Sequence, residues 1–121
     1  MAKVLVVDDS NAIRQQVGEF LRGNNIETIT AVDGLDGLAK LQSDPNIKLI
    51  LCDMNMPNMD GLTMVEAIRN ELGNHAVNII MLTADVTPAM KERARLAQVR
   101  SWIIKPFRGE GIIPMISEFL E

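Results

Sequence analysis

Three carboxylates, one lysine and one threonine in this chain have the types and placement for metal and phosphoryl chemistry. Asp8 and Asp9 follow the apolar run Val4–Val7, and Asp53 follows Ile47–Cys52. Thr83 follows Val77–Leu82, and Lys105 follows Trp102–Ile104. Carboxylates gathered in one crevice repel, and each raises the pKa of its neighbours. A hard divalent cation relieves that repulsion. Mg²⁺ prefers oxygen ligands and keeps several waters, so two or three carboxylates suffice to hold it. A carboxylate can also attack a phosphoryl group to give an aspartyl phosphate. Charge on the phosphoryl oxygens then calls for a metal, a cation and hydrogen-bond donors, which Mg²⁺, Lys105 and Thr83 supply. Zinc is disfavoured, because no Cys/His set exists and His75 stands alone in a segment that reads as a solvated loop.

These residues meet only if the chain brings its apolar runs together. The runs are Val4–Val7, Ile26–Ala31, Ile47–Cys52, Val77–Leu82 and Trp102–Ile104. Several are continuously apolar, the mark of strands buried on both faces of a parallel sheet. Helix-period segments separate them. Ser10 is placed to cap the first, whose stripe is Ile13, Val17, Phe20 and Leu21. Asp33-Gly34 opens the second, with Leu35, Leu38 and Leu41 expected to point inward. Asp60-Gly61 reads as a turn and helix entry before Leu62, Val65, Ile68 and Leu72. Thr87-Pro88 is a cap with proline at the first helical position. Gly109, Gly111 and Pro114 predict a ragged start for the last helix, interrupted at Pro114 and running to Leu120.

Strand–helix alternation repeated five times predicts an α/β fold, a single doubly wound parallel sheet with right-handed crossovers. Parallel strands point one way, so Asp8, Asp9, Asp53, Thr83 and Lys105 converge on one rim. Open α/β sheets bind ligands at that rim. Polar residues commonly end strands, which accounts for one or two of these positions. It does not account for four of five strands ending in residues suited to the same chemistry.

Composition sets limits around this site. The chain has 121 residues, one domain's worth, and 47% of them are hydrophobic, enough for a core. Aromatics are only 3%, so that core must be aliphatic, with the eight methionines filling gaps. Net charge is -4, which disfavours nucleic acid as a partner. Residues 1–85 hold 12 acids against 6 bases, whereas residues 86–121 hold 4 against 6, so the acidic part should attract a cation. The single cysteine, Cys52, lies inside an apolar run and reads as a core residue. No apolar stretch reaches the roughly 20 residues of a membrane span, and no signal peptide is evident, so we expect a cytoplasmic protein without membrane insertion.

Four segments together resemble the receiver domain of bacterial response regulators, and in particular the stand-alone chemotaxis type. They are Val6-Val7-Asp8-Asp9-Ser10, the stretch from Asp53 to Gly61, Leu82-Thr83-Ala84 and Lys105-Pro106-Phe107. The resemblance covers the whole chain, 1–121, and implies a five-stranded flavodoxin-like (βα)5 fold with strand order 2-1-3-4-5. It implies that Asp53 is the phosphoacceptor and that Asp8, Asp9 and Asp53 form the Mg²⁺ site, with Asp9 the more direct ligand. The backbone carbonyl of Asn55 would be a further ligand. Lys105 would contact the phosphoryl group, Thr83 would be the switch hydroxyl and Trp102 the switch aromatic. Asn55 and Asp85 would flank the phosphoryl group and tune its lifetime. The phosphodonor would be a histidine kinase, and the output a target protein docking on the face formed by helix 4, strand 5 and helix 5. The sequence departs from the family pattern on that face: Ala97-Gln98-Val99-Arg100-Ser101 lacks the usual small Gly/Ala pair, and Trp102 replaces the usual Tyr or Phe.

A motor-switch target and an intermediate phosphorelay role are both open. Enzyme and dinucleotide-binding readings fit less well. Haloacid-dehalogenase-like phosphatases place two acids two residues apart after strand one, where this chain has adjacent Asp8-Asp9. A dinucleotide site is disfavoured because no G-x-G-x-x-G follows a strand. We therefore expect a signalling protein that catalyses only its own phosphotransfer and autodephosphorylation. Met1 and a last helix that runs to Leu120 lead us to expect a stand-alone chain with protein–protein output.

Overall fold

A computed structural model describes residues 2–109 and 111–121. Strands and helices alternate without exception: β1 Lys3–Val7, α1 Asn11–Gly23, β2 Glu27–Ala31, α2 Gly34–Ser43, β3 Ile47–Asp53, α3 Gly61–Asn70, β4 Asn78–Thr83, α4 Pro88–Leu96, β5 Ser101–Ile104 and α5 Ile112–Leu120. All pairings are parallel, and the strand order is β2-β1-β3-β4-β5. The flavodoxin-like arrangement expected from the sequence is therefore the one formed. Ile26 and Val77 fall just outside β2 and β4, yet both are buried.

The continuous apolar runs are explained by two core layers, one on each face of the sheet. Val4, Val6, Leu49, Leu51, Ile80, Leu82 and Ile103 pack with Val17 and Leu21 of α1 and with Ile112 and Ile116 of α5. The alternate residues Leu5, Val7, Ile50, Cys52, Ile79 and Met81 pack under α2, α3 and α4. Side chains of a strand alternate between faces, so a strand covered by helices on both sides must be apolar at every position. Cys52 is fully buried, as expected, and burial pushes its thiol well above the ordinary range, with the charge of Asp53 adding to the effect. Met64 and Met81 are fully buried and Met54 and Met56 nearly so, which bears out their reading as gap-fillers.

Each of the first four helices starts on a side-chain cap. Ser10 accepts from Ile13 N–H, Asp33 from Asp36, Asp60 from Thr63 and Thr87 from Met90. Such oxygens satisfy N–H groups that have no partner within the helix. Two expectations need correction. Leu35 points outward and is 59% exposed. The buried face of α2 runs through Gly34, Gly37 and Leu41, with Leu38 packed beside it, so the helix is rotated to press its glycines on the sheet. A Cβ at Gly37 would stand 3.0 Å from Met64 Sδ and 3.1 Å from Val7 Cγ2, which shows how close that approach is. Pro114 does not interrupt α5. It occupies the third helical residue, where the missing N–H had no intrahelical partner to lose.

The turn from β3 into α3 is the tightest backbone contact near the rim. Gly61 N–H donates to Met54 O at 2.8 Å, and a Cβ at Gly61 would overlap the carbonyl oxygen of Asp53. The partner in that clash is backbone and cannot rotate away. Gly61→Ala is therefore expected to lower stability by about 3 kcal/mol, the upper part of the range for overpacking. Equilibrium urea unfolding checks this, and an alanine variant as stable as the wild type would contradict the packing described.

Candidate functional site

Asp8 follows β1, Asp53 ends β3, Thr83 ends β4 and Lys105 follows β5, so parallel topology delivers all four to the same rim. Asp8 and Thr83 are fully buried and Asp53 is 4% exposed, while Asp9 faces solvent. Lys105 Nζ lies 3.1 Å from Asp53 Oδ1, which accepts its hydrogen bond, and 3.3 Å from Asp8 Oδ2. Ser10 N–H donates to Asp8 Oδ1 at 2.8 Å, which leaves Oδ2 buried with no hydrogen bond of its own. One carboxylate oxygen from each of Asp8, Asp9 and Asp53 lies within 4.8 Å of the other two.

One ammonium thus contacts two of the three clustered carboxylates, Asp53 and Asp8. Burial raises the Asp53 pKa and the charge of Asp8 raises it further; the Lys105 bond and charge and the Asn55 N–H pull it down without cancelling the rise. For Lys105 the largest influence is burial, which acts to lower the pKa. Its hydrogen bond to Asp53 and the charges of Asp8 and Asp53 outweigh burial and raise it. A crevice of oxygen donors with surplus negative charge and one unbonded buried carboxylate oxygen fits a hard divalent cation. Asp8, Asp9 and Asp53 would hold it, and the charge it supplies would replace the missing compensation.

The remaining residues singled out in the sequence sit around this centre. Asn55 and Asp85 are both exposed, two residues beyond Asp53 and Thr83. The Thr83 hydroxyl is not joined to the acids; it donates to the Asp85 carbonyl oxygen at 3.1 Å. Trp102 is half-buried against the α2–α4 layer, opposite Met81 in the sheet register. Two-residue alternation along β4 puts Thr83 on that same face. His75 is exposed, as expected, though its Nδ1 is 2.9 Å from Gln98 Oε1.

Three arginine and glutamine side chains escaped the sequence reading. Arg14 Nη1 donates to the carbonyl oxygen of Asp8 at 2.6 Å and steadies the turn that carries both N-terminal acids. Gln16 Nε2 donates to Phe107 O at 3.0 Å, beyond Lys105. Arg69, only 4% exposed, donates to four carbonyl oxygens, those of Asn74, Val77, Ala97 and Gln98, and ties the exit of α4 to the start of β4. Arg69 carried a signal, since it continues the Leu62–Val65 stripe one heptad on. The other two carried none, because each bonds a backbone carbonyl that only the fold brings near.

The same fold occurs in known proteins. The chain belongs to the response regulator receiver domain family, whose model matches residues 4–117. It is 33% identical to the chemotaxis protein CheY of Treponema pallidum, over 98% of this chain and 83% of that one. It is 32% identical to protein PilG of Pseudomonas aeruginosa, over 94% and 84% of the two chains. Among solved structures, the Vibrio cholerae chemotaxis protein CheY4 superposes with a TM-score of 0.89 at 38% identity, covering 99% of each chain. The response regulator TrrA of Thermotoga maritima, solved in complex with Mg²⁺-BeF, superposes at 0.85 with 29% identity, covering 99% of this chain and 100% of that one. Receiver proteins of this type are signalling proteins rather than classical enzymes. Among the described residues, no helix is long and apolar enough to cross a membrane.

The raised Asp53 pKa fixes a sign. Between the ordinary carboxylate pKa and the raised one, the folded metal-free protein holds a proton that the unfolded chain has released. Stability due to Asp53 therefore falls as pH rises through that window. Asp53→Asn should remove this loss and make the metal-free protein more stable at pH 7 by about 1–2 kcal/mol, the size of one like-charge contact relieved in a partly screened crevice. The advantage should shrink toward pH 4 and on adding Mg²⁺, which stabilises the wild type by binding the folded state. Urea unfolding with EDTA and with Mg²⁺ measures both effects, and a metal-free variant less stable than wild type at pH 7 would contradict the charge account.

Proposed function

We propose that residues 1–121 act as one phosphoaccepting receiver domain of a two-component system, taking a phosphoryl group from a histidine kinase onto Asp53. The observation that carries this reading is the position of Lys105 Nζ, in contact with Asp53 and Asp8 together beneath a cluster of three acids. An Asp53 carboxylate oxygen attacks phosphorus, an oxygen–phosphorus bond forms, and the donor's bond to phosphorus breaks with the electron pair leaving on the donor nitrogen. Asp8, Asp9, Asp53 and the Asn55 carbonyl would hold Mg²⁺, which would supply positive charge against the phosphoryl oxygens. Lys105 leaves Asp53 and pairs with one of those oxygens. Thr83, whose hydroxyl rests on the Asp85 carbonyl, turns to another as donor. Asn55 and Asp85 are polar and exposed, so they admit water and favour a short-lived phosphoprotein. No turnover of other substrates is expected.

The relatives named for chemotaxis support a stand-alone regulator of that kind, working in the cytoplasm and signalling to a target protein. The α4–β5–α5 face would carry the signal. Trp102 lies on it, on the same face of the sheet as Thr83, and small Ala84 beside Thr83 leaves room for an indole to turn inward when the hydroxyl moves.

A small-molecule phosphodonor with Mg²⁺ should add one phosphoryl group, read by intact mass, and Asp53→Asn should abolish the addition. Tryptophan emission should shift on phosphorylation and barely change with Mg²⁺ alone, since Trp102 is the single indole. Bulky apolar replacements at Asn55 and Asp85 together should slow decay of the label. Labelling of Asp53→Asn at the wild-type rate would overturn the acceptor assignment. An emission spectrum indifferent to confirmed occupancy would overturn the Trp102 movement, and an unchanged decay rate would remove the lifetime roles.

A further inference from the structure

We propose that Gln16, on the exposed side of α1, is a positioning residue for Lys105; the proposal rests on the reading that Lys105 contacts the phosphoryl group. Lys105 stands where β5 gives way to a loop, and its ammonium ends a long flexible side chain. Where that ammonium sits depends on how firmly the backbone at its root is held. On one side the backbone is anchored at Lys105 itself, whose N–H donates to Thr83 O at 2.8 Å. On the far side Pro106 has no N–H to offer. There the carbonyl of Phe107 accepts from Gln16 Nε2 at 3.0 Å, across 91 positions of sequence. Among the described residues, the backbone of 106–109 has one other bond to an element, the long 3.4 Å bond from Ile112 N–H of α5 to the Gly109 carbonyl at the loop's far end. Gln16 therefore gives the one such bond to the loop residues next to Lys105.

Apolar contacts from the same helix complete the bracket. The Phe107 ring is 4% exposed and meets Phe20 of α1 edge-on, with centroids 5.4 Å apart. Gly109, at φ 78°, brings the loop against Phe20 so closely that a Cβ there would lie 2.6 Å from Phe20 Cε1. Phe20 and Phe107 hold the loop on the helix, but an aromatic contact tolerates sliding. A hydrogen bond to a carbonyl is directional and fixes where along α1 the loop rests. Gln16 is thus the member of the bracket that sets register, and because it is exposed it can be changed without opening the core.

Gln16→Leu keeps comparable bulk and removes the donor. Gln16→Arg restores a donor of longer reach. Gln15→Leu is the control, since among the described residues Gln15 bonds Glu19 at the surface and nothing in the loop beyond Lys105. With acetyl phosphate at saturating Mg²⁺, Gln16→Leu should label about 3–10-fold more slowly, the effect of losing one modest hydrogen bond, and should need correspondingly more beryllofluoride for half occupancy. Its calorimetric Mg²⁺ affinity and melting temperature should match wild type, because the acids do not depend on this loop. Gln16→Arg should recover most of the rate, and Gln15→Leu should lose none. Lys105→Met is measured alongside. If it labels slowly while Gln16→Leu labels at the wild-type rate, the positioning proposal fails and the role of Lys105 stands. If Lys105→Met labels at the wild-type rate, the reading beneath the proposal fails. If Gln16→Leu loses Mg²⁺ affinity and stability along with rate, Gln16 is a general structural residue and the proposal is overturned.

Discussion

Two buried carboxylates, Asp8 and Asp53, share one lysine, and much of the rim is arranged around that shortage of positive charge. Water screens the pair only in part, since Asp8 is fully covered and Asp53 nearly so. Lys105 reaches both, at 3.3 and 3.1 Å, and Asp9 adds a third charge from the solvent side. Removing the crowding would stabilise the metal-free fold. A site that keeps it holds charge in reserve for a cation and a phosphoryl group. Fold stability and ligand readiness therefore pull in opposite directions at the same three residues.

The surrounding backbone is built to hold that unfavourable cluster. Arg14 grips the carbonyl of Asp8, and Ser10 both offers its N–H to Asp8 Oδ1 and caps α1. Asp60 caps α3, and the absence of a side chain at Gly61 lets that helix begin directly against the Asp53 carbonyl. On the other side of the sheet α1 brackets the loop beyond Lys105. The acids are thus set by backbone turns and the lysine by a loop, so a perturbation that reaches only one of them separates cation binding from phosphoryl chemistry. Farther away, Arg69 fastens the exit of α4 through four carbonyl oxygens, while the α4 entry at Thr87-Pro88 follows the Thr83–Asp85 turn that the Thr83 hydroxyl closes. Thr83 is in this way linked to the helix that borders the proposed output face.

Much of this was legible in the sequence because buried parallel strands leave a plain trace. A run such as Leu49-Ile50-Leu51-Cys52 has no polar face to offer, and the residue that ends it lies where strands discharge onto a common rim. The helix starts were legible for a similar reason, Ser10 and Thr87 as caps and Asp33 and Asp60 as helix entries, all short polar side chains standing just before apolar stripes. Leu35 was misread because Leu35, Leu38 and Leu41 have helical spacing, yet Gly34 and Gly37 allow an approach that leucines would block, and the helix turned its glycines inward. Pro114 was misread because its effect depends on which helical residue it becomes, and the boundary is set by Gly111 in its left-handed conformation. Gln16 and Arg14 were invisible because a bond to a backbone carbonyl leaves no partner residue type to find.

The most direct test is a crystal structure of the protein with Mg²⁺ and beryllofluoride. The account predicts beryllium bonded to an Asp53 carboxylate oxygen, a metal ion among Asp8, Asp9, Asp53 and the Asn55 carbonyl, and Lys105 Nζ moved from Asp53 Oδ1 onto fluoride. Beryllium on another residue, or Lys105 still paired with Asp53 beside an occupied site, would contradict it.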